Sequence, residues 1–304
     1  MKKTKHEDNP ASIKYYVKNY ILKNREMFAG KKVLDVPAGS GVTTRILREV
    51  GAKVYPFDLF PDFFHESDET CRFCDLTENI PVKDGFFDVV ICQEGIEHLP
   101  NLYLALAEMN RVLKKDGLLI ITTPNYSNIQ SRLSYLFFES ENSGRFMPPN
   151  EYDSIWFSGE KKTSGGASRS KAGKKPEAKY YFGHVFLIGI QKFRLLWKIN
   201  GFELVELVKN KVKPRNLVLL AFWFPVIALQ SLRLLQKNLK VWRRRSPGNR
   251  SPDFSSVFKE QLKLNLSSTV LLHSHLFVVC RKSLSTSEAY HTYKTENTRL
   301  YTET

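Results

Sequence analysis

The sequence predicts an α/β fold, a doubly wound and mostly parallel sheet carrying an apolar helical insertion. Three observations predict it. Short apolar runs alternate with helical patterns from Lys31 to Thr123, the order expected of parallel strands joined by crossover helices. The run Val33–Val36 enters a loop containing Gly39 and Gly41, and a helical pattern leaves it; strand, tight loop and helix N-terminus form the first turn of such a sheet. Residues 216–232 contain no charge and lie between basic flanks.

Residues 1–11 are polar and read as a loose N-terminus. Ser12 is an N-cap for a helix through about Phe28, with Ile13, Tyr16, Val17, Tyr20 and Ile21 on one face. Lys31–Val36 is the first strand, and the helix from Val42 ends near Gly51. Lys53–Phe57 is the second strand, and a loop with Pro61 and Phe63-Phe64 follows it. Asp84-Gly85 turns into the strand Phe87–Cys92. Asn101–Leu113 carries a helical stripe; Lys114 and Lys115 suit its C-terminus and Gly117 can stop it. Leu118–Thr123 is a strand and Ser127–Phe138 a helix. Residues 158–179, rich in Gly, Ser and Lys, read as a disordered basic insertion. Order returns at Tyr180–Phe186, followed by a helix around Leu187–Asn200, a stop at Gly201 and strands at Phe202–Val208 and Leu276–Cys280. The domain reading is a core over 12–210 and 270–282, an apolar and basic helical insertion over 211–269, and a disordered tail over 283–304.

The loop after the first strand fits a polar ligand. Gly39 and Gly41 let backbone approach it closely, and helix N-terminal amides face it. A dinucleotide fingerprint needs a third glycine where Thr44 stands, and a phosphate loop needs a lysine where Val42 stands. Asp35 would repel a phosphate but can pair with an ammonium group.

Leu34-Asp35-Val36-Pro37-Ala38-Gly39-Ser40-Gly41 resembles the first motif of class I S-adenosylmethionine-dependent methyltransferases. Asp58 and Leu59, closing the run from Lys53, resemble the family's ribose-binding segment. Cys74-Asp75-Leu76 resembles its adenine segment, and Phe87–Leu99 its fourth motif, with Gln93 at the strand end. The resemblance covers residues 12–135 and resumes at 181–209 and 270–282. It implies a Rossmann-like sheet with an antiparallel last strand and S-adenosyl-L-methionine as cofactor. By position, Asp35, Pro37, Ala38, Gly39, Ser40 and Gly41 would hold the methionine end. Asp58 and Leu59 would hold the ribose, and Asp75, Leu76 and Gln93 would complete the site. Pro37 departs from the family pattern, replacing its first glycine; it fixes φ and removes one donor.

Methyl transfer from a sulfonium needs aligned reactants, and a hydroxyl acceptor also needs help losing its proton. Glu97, His98 and His184 are the candidate catalytic residues. Glu94, Glu97 and His98 have a spacing similar to that of quinone-biosynthesis O-methyltransferases, where such a trio is implicated in binding a divalent ion such as Mg. The alternative is a structural or lid role for the same three.

The net charge is +15. Between Ser158 and Lys179 seven basic residues face two acidic ones, and Val208–Arg250 holds eleven basic residues and no acid. These segments account for more than the whole excess, so the core is near neutral and no nucleic acid is expected as a partner. Basic flanks beside an apolar stretch point to an anionic membrane surface. Residues 216–232 sit at the lower length limit for a spanning helix and contain Pro225. A last strand that returns to the same sheet argues against a single crossing. The expectation is an interfacial or re-entrant helical hairpin with Trp223 and Trp242 near the headgroups. The alternative is a helical cap over the site.

Four scattered cysteines are no disulfide framework, and Cys71-Arg72-Phe73-Cys74 lacks the second pair a zinc site needs. No apolar run follows Met1–Lys5, so a cytoplasmic protein, peripheral or monotopic at the inner face of a membrane, is expected. The expected reaction is O-methylation of a membrane-associated or lipid-linked acceptor, a quinone precursor or a glycan-lipid. Its rivals are a soluble small-molecule methyltransferase with a lid and a non-catalytic cofactor-binding scaffold.

Overall fold

The computed structural model describes residues 5–66, 70–138, 186–245 and 254–292. The strands β1 (Lys32–Asp35), β2 (Lys53–Asp58), β3 (Arg72–Phe73), β4 (Phe87–Gln93), β5 (Leu113–Pro124), β6 (Phe202–Leu207) and β7 (His275–Lys282) form one sheet, in the order β3-β2-β1-β4-β5-β7-β6. Neighbours among β1 to β5 pair in parallel, while β7 runs antiparallel to both β5 and β6. Strand order reverses between β1 and β4, which opens a crevice at their C-terminal ends.

Both faces of the sheet are covered, so its strands are apolar on both sides. Val33, Val89, Ile91, Ile120, Phe277 and Val279 pack under α1 (Ile13–Lys23) and α2 (Val42–Glu49). The alternate residues Leu34, Val90, Leu119, Val278 and Cys280 join α3 (Leu102–Val112) and α5 (Ile190–Ile199), the latter through Phe193 and Trp197. A helix α4 (Ile129–Phe138) follows β5.

Several boundaries differ from the expectation. Ser12 does cap α1, accepting from the Lys14 amide, but the helix ends at Lys23, and Arg25–Met27 is a 3-10 turn. The N-terminal segment is anchored from residue 5: His6–Asp8 is a 3-10 turn, and the buried Glu7 pairs with Arg45 at 2.8 Å. Gly117 does not stop α3. The chain is already extended at Leu113, which is buried and pairs with Phe87. Lys114 then reaches Asp88 at 2.6 Å, Asp116 adopts φ 62°, and pairing resumes at Val89↔Leu118.

The insertion also differs. Pro214–Arg245 is one continuous helix, α6, running through Pro225 rather than folding back there. Proline forfeits the bond to the Ala221 carbonyl, but this stretch is exposed, Phe224 and Val226 included, so solvent can meet that carbonyl. The chain turns back only with α7 (Phe254–Asn265), which packs on α6, and α8 (Ser268–Leu272) leads into β7.

The start of the tail is ordered too. Residues 286–292 are helical. Ser285 and Glu288 form a reciprocal capping box, and Ala289 is buried. The amides of Ser283 and Leu284 donate to the Gly201 carbonyl. The expected insertion at 158–179 and the segment Tyr180–Phe182 lie outside the described residues.

Candidate functional site

Every strand end that the sequence singles out reaches the same edge of the sheet. The loop after β1, the end of β2, the residues after β3 and the end of β4 stand in neighbouring positions because those strands are parallel and adjacent.

Asp58 ends β2 and turns toward the glycine loop. Its Oδ2 accepts from the Gly39 amide at 2.7 Å and its Oδ1 from the Phe60 amide at 2.8 Å. The Ala38 amide donates to the Phe57 carbonyl, and the Cys74 amide to the Asp58 carbonyl. Loop, β2 and β3 are therefore tied through one carboxylate. Each of its oxygens keeps a second acceptor position. Gly39 has φ 54° and faces open space, since a Cβ there would meet nothing within 4 Å. Gly41 has φ 89° and lies beneath the Phe64 ring and Glu66; a Cβ would come 2.9 Å from Phe64 Cε2 and 2.5 Å from Glu66 Cγ. Ser40 is half-buried, and its carbonyl accepts from the His65 amide. Pro37 lies on Gly95, where a Cβ would be 2.6 Å from its Cδ.

Asp35 is 1% exposed, and the Thr44 hydroxyl donates to it at 2.6 Å. Burial pushes its carboxyl up to about 7; the Thr44 bond opposes that shift and the Asp58 charge adds to it. Gln93 Oε1 accepts from the Thr43 hydroxyl, which leaves its buried Nε2 without a partner among the described residues. Leu59 is half-buried. Asp75 accepts from the Thr77 amide and hydroxyl, closing a turn, and the Leu76 side chain packs into the core.

Glu94 adopts φ 50°, accepts from the Thr122 hydroxyl and pairs with His275 Nε2 at 3.4 Å. Glu97 is buried on the 3-10 turn Ile96–His98. The Thr123 hydroxyl donates to its Oε2, while Oε1 has no partner among the described residues. Burial first, and then the Glu94 charge, raise its carboxyl to about 8. His98 is half-exposed on the same turn. Among the described residues no group of three His, Cys, Asp or Glu side chains can hold a metal ion. The Mg trio expected at Glu94, Glu97 and His98 is thus not assembled, because each glutamate is turned onto a threonine of β5. His184 lies outside the described residues. All four cysteines are free and buried.

Thr43, Thr44, Thr122, Thr123 and His275 escaped sequence reasoning. The first two were visible as hydroxyls in the first turn after Gly41. The others needed the β4–β5 and β5–β7 registers.

The site fits a sulfonium nucleoside. An open glycine backbone lies beside a two-oxygen acceptor suited to a vicinal diol, a buried amide lacks a partner, and a carboxyl is near enough to a neutral pKa to meet an ammonium group. The family described as "Methyltransferase domain" matches residues 12–207. A ubiquinone biosynthesis O-methyltransferase of Methylococcus capsulatus is 31% identical over 134 residues, covering 41% of this chain and 54% of that protein. The mitochondrial ubiquinone biosynthesis O-methyltransferase of Rattus norvegicus is 32% identical over 123 residues, covering 36% of each. The chain spans about half the length of the first of these relatives and about a third of the second. The solved structure of a SAM dependent methyltransferase from Archaeoglobus fulgidus aligns over 91% of this chain and 97% of its own, at 15% identity and a TM-score of 0.46. With a family match across most of the chain and the matching motifs gathered at one sheet edge, the chain belongs to the methyltransferase domain family, as a class I S-adenosylmethionine-dependent methyltransferase domain.

Proposed function

We propose that the chain transfers a methyl group from S-adenosylmethionine to a hydroxyl of a membrane-associated or lipid-linked acceptor, a quinone precursor or a glycan-lipid. The observation that carries the lipid-facing part is α6. Pro214–Lys240 is long and apolar enough to cross a bilayer, only 6% of its apolar window is buried, and Phe222 is 76% exposed. Basic residues flank it at Lys211, Lys213 and Arg215 and again at Arg233, Lys237 and Arg243–Arg245, the pattern that favours an anionic cytoplasmic leaflet. The named relatives, ubiquinone biosynthesis O-methyltransferases, support a quinone precursor as acceptor.

When bound, the cofactor supplies an electrophilic methyl on sulfur. The chain's own residues supply position. Asp58 with Leu59 holds the ribose, and Asp35, Pro37, Ala38, Gly39, Ser40 and Gly41 hold the methionine end. Asp75 and Leu76 contact the adenine, and Gln93 completes the cofactor site. Phe64 and Glu66 lie over Gly41 and wall that side of the loop. Glu97 is the base we assign: burial raises its carboxyl to about 8, which matches the task of taking a phenolic proton near neutral pH. His98 stands beside it on the same turn, and His184 is a further candidate.

Labelled S-adenosylmethionine incubated with the protein and membrane extract tests the reading. Label entering base-stable ethers in the lipid phase is expected, and Glu97→Gln should lose most of that transfer while still binding cofactor. Label found only in water-soluble product would overturn the lipid assignment. A second reading, a soluble enzyme with α6 as a lid, is favoured by the packing of α6 on α4 and α7; the same assay separates the two.

A further inference from the structure

A groove of about 650 Å³ opens between α4 and α6, next to the loop that leaves β5. Its walls are largely apolar, with Ile129 and Leu133 from α4 and Trp223 and Ile227 from α6, and Tyr126 also lines it. Tyr126 follows Thr123, the partner of Glu97, by three positions. Gln230, Ser231 and Asn265 add neutral polar groups, and the charged side chain in the lining is Arg132. Its Nε donates to the Ser127 carbonyl at 2.7 Å. No carboxylate among the described residues pairs with it, and Arg132 lines the groove.

A guanidinium in an apolar wall is expensive unless an anion meets it. Burial alone draws the Arg132 pKa down to about 10, and no acidic neighbour among the described residues offsets that. Nε is held on the Ser127 carbonyl, so the outer edge, with its two parallel N–H groups, is the one left to take an oxyanion through two bonds.

We propose that this groove is the acceptor's binding channel, and that Arg132 selects an acceptor carrying a carboxylate or phosphate together with a long apolar chain. The proposal rests on the lipid-like acceptor reading above and adds to it the charge of the acceptor and the residue that reads it. The apolar chain lies along Trp223 and Ile227, and the anion docks on Arg132. The hydroxyl to be methylated then sits toward Tyr126 and the end of β5. The exposed side of α6 is the entrance from the bilayer.

The test uses the full chain and quenching of tryptophan fluorescence, with Trp223→Phe marking the share that Trp223 carries among the four tryptophans, by 12-bromododecanoate and 12-bromododecyl phosphate, each against its neutral counterpart, the methyl ester and the alcohol. Wild type should bind at least one anion about tenfold or more tightly than its neutral counterpart, the discrimination expected of a charged hydrogen bond. Arg132→Met should remove that preference, and Arg132→Lys should keep part of it. Equal binding of anionic and neutral probes by wild type, or an anion preference that survives in Arg132→Met, overturns the proposal. Should Arg132→Met fail to fold, Val226→Trp, which narrows the groove from an exposed position, should weaken all four probes; unchanged binding overturns the channel. Methyl transfer into membrane extract, measured in parallel, keeps the two readings apart. Unchanged lipid transfer by Arg132→Met sinks the groove and leaves the lipid acceptor standing. An Arg132-dependent anion preference with no lipid transfer by wild type does the reverse.

Discussion

Asp58→Asn is the sharpest test of the cofactor site, because it keeps the side chain's size and changes only what it can accept. In the native loop one carboxylate serves four acceptor positions, two of them already taken by the Gly39 amide at 2.7 Å and the Phe60 amide at 2.8 Å. An amide keeps one oxygen and puts an NH2 against whichever amide faced the other. The loop then loses one charged acceptor, and so does the ribose diol. A hydrogen bond to a charged group is worth about 1.5–3 kcal/mol. Loss of one from the ribose therefore weakens cofactor binding by about tenfold to 150-fold. Isothermal titration with S-adenosylhomocysteine, which cannot turn over, reads this directly, and circular dichroism shows whether the loop change has spread. A variant that stays folded and binds within about twofold of wild type would refute the assignment of Asp58 to the ribose, given the size of the bond removed.

Other perturbations test other parts. Asp35 ionises above about 7, so its attraction for the cofactor's ammonium grows with rising pH. Calorimetric affinity should increase from pH 6 to 8 in wild type and stay flat in Asp35→Asn; a flat wild-type profile removes Asp35 from the methionine end. Gly201→Ala should destabilise the fold by more than about 2 kcal/mol, beyond the left-handed penalty alone. Its φ is 77°, and the new Cβ would lie 2.2 Å from the Leu284 carbonyl. Urea melts measure this, and an unchanged midpoint would mean that the tail does not dock there. The protein should float with anionic vesicles and not with zwitterionic ones. Phe222→Glu with Leu229→Glu, both on the exposed side of α6, should abolish flotation, whereas binding unaffected by the pair would move the membrane contact elsewhere.

The strands and the cofactor loop were legible because short-range rules fix them. A parallel strand buried on both faces writes itself as a continuous apolar run, so Lys31–Val36 and Phe87–Cys92 were placed to within a residue or so. Asp58 was legible as the acid closing such a run. What failed was set by contacts between distant residues. Lys114, Lys115 and Gly117 carry the signals of a helix end, but Leu113 is claimed by Phe87 across the sheet, so the extended chain starts earlier than propensity suggests. Glu94, Glu97 and His98 have a metal-like spacing, but spacing says nothing of the Thr122 and Thr123 hydroxyls that β5 brings to the two glutamates. The tail's polarity hid a capping box and a docking partner at Gly201, both visible only once β7 places Ser283 beside it.

The insertion is where topology constrains function most. Its two ends are stitched together: Val212 bridges His273, the Ser274 amide donates to the Lys211 carbonyl, and the Lys213 amide donates to the Leu272 carbonyl. Asn210 and Asn216 add side-chain bonds to the same return strand, to the His275 and Leu272 carbonyls. The chain therefore leaves the domain and re-enters it at one point, between β6 and β7 of a single sheet. A helix of 32 residues rises about 48 Å, so α6 is long enough to cross a bilayer, yet a crossing would have to be undone before β7. The arrangement that needs no second crossing lays α6 along the surface, apolar side down, with its basic flanks at the headgroups. A spanning α6 would bury its basic flanks on opposite sides, so protease protection of either flank in vesicles decides against the surface arrangement.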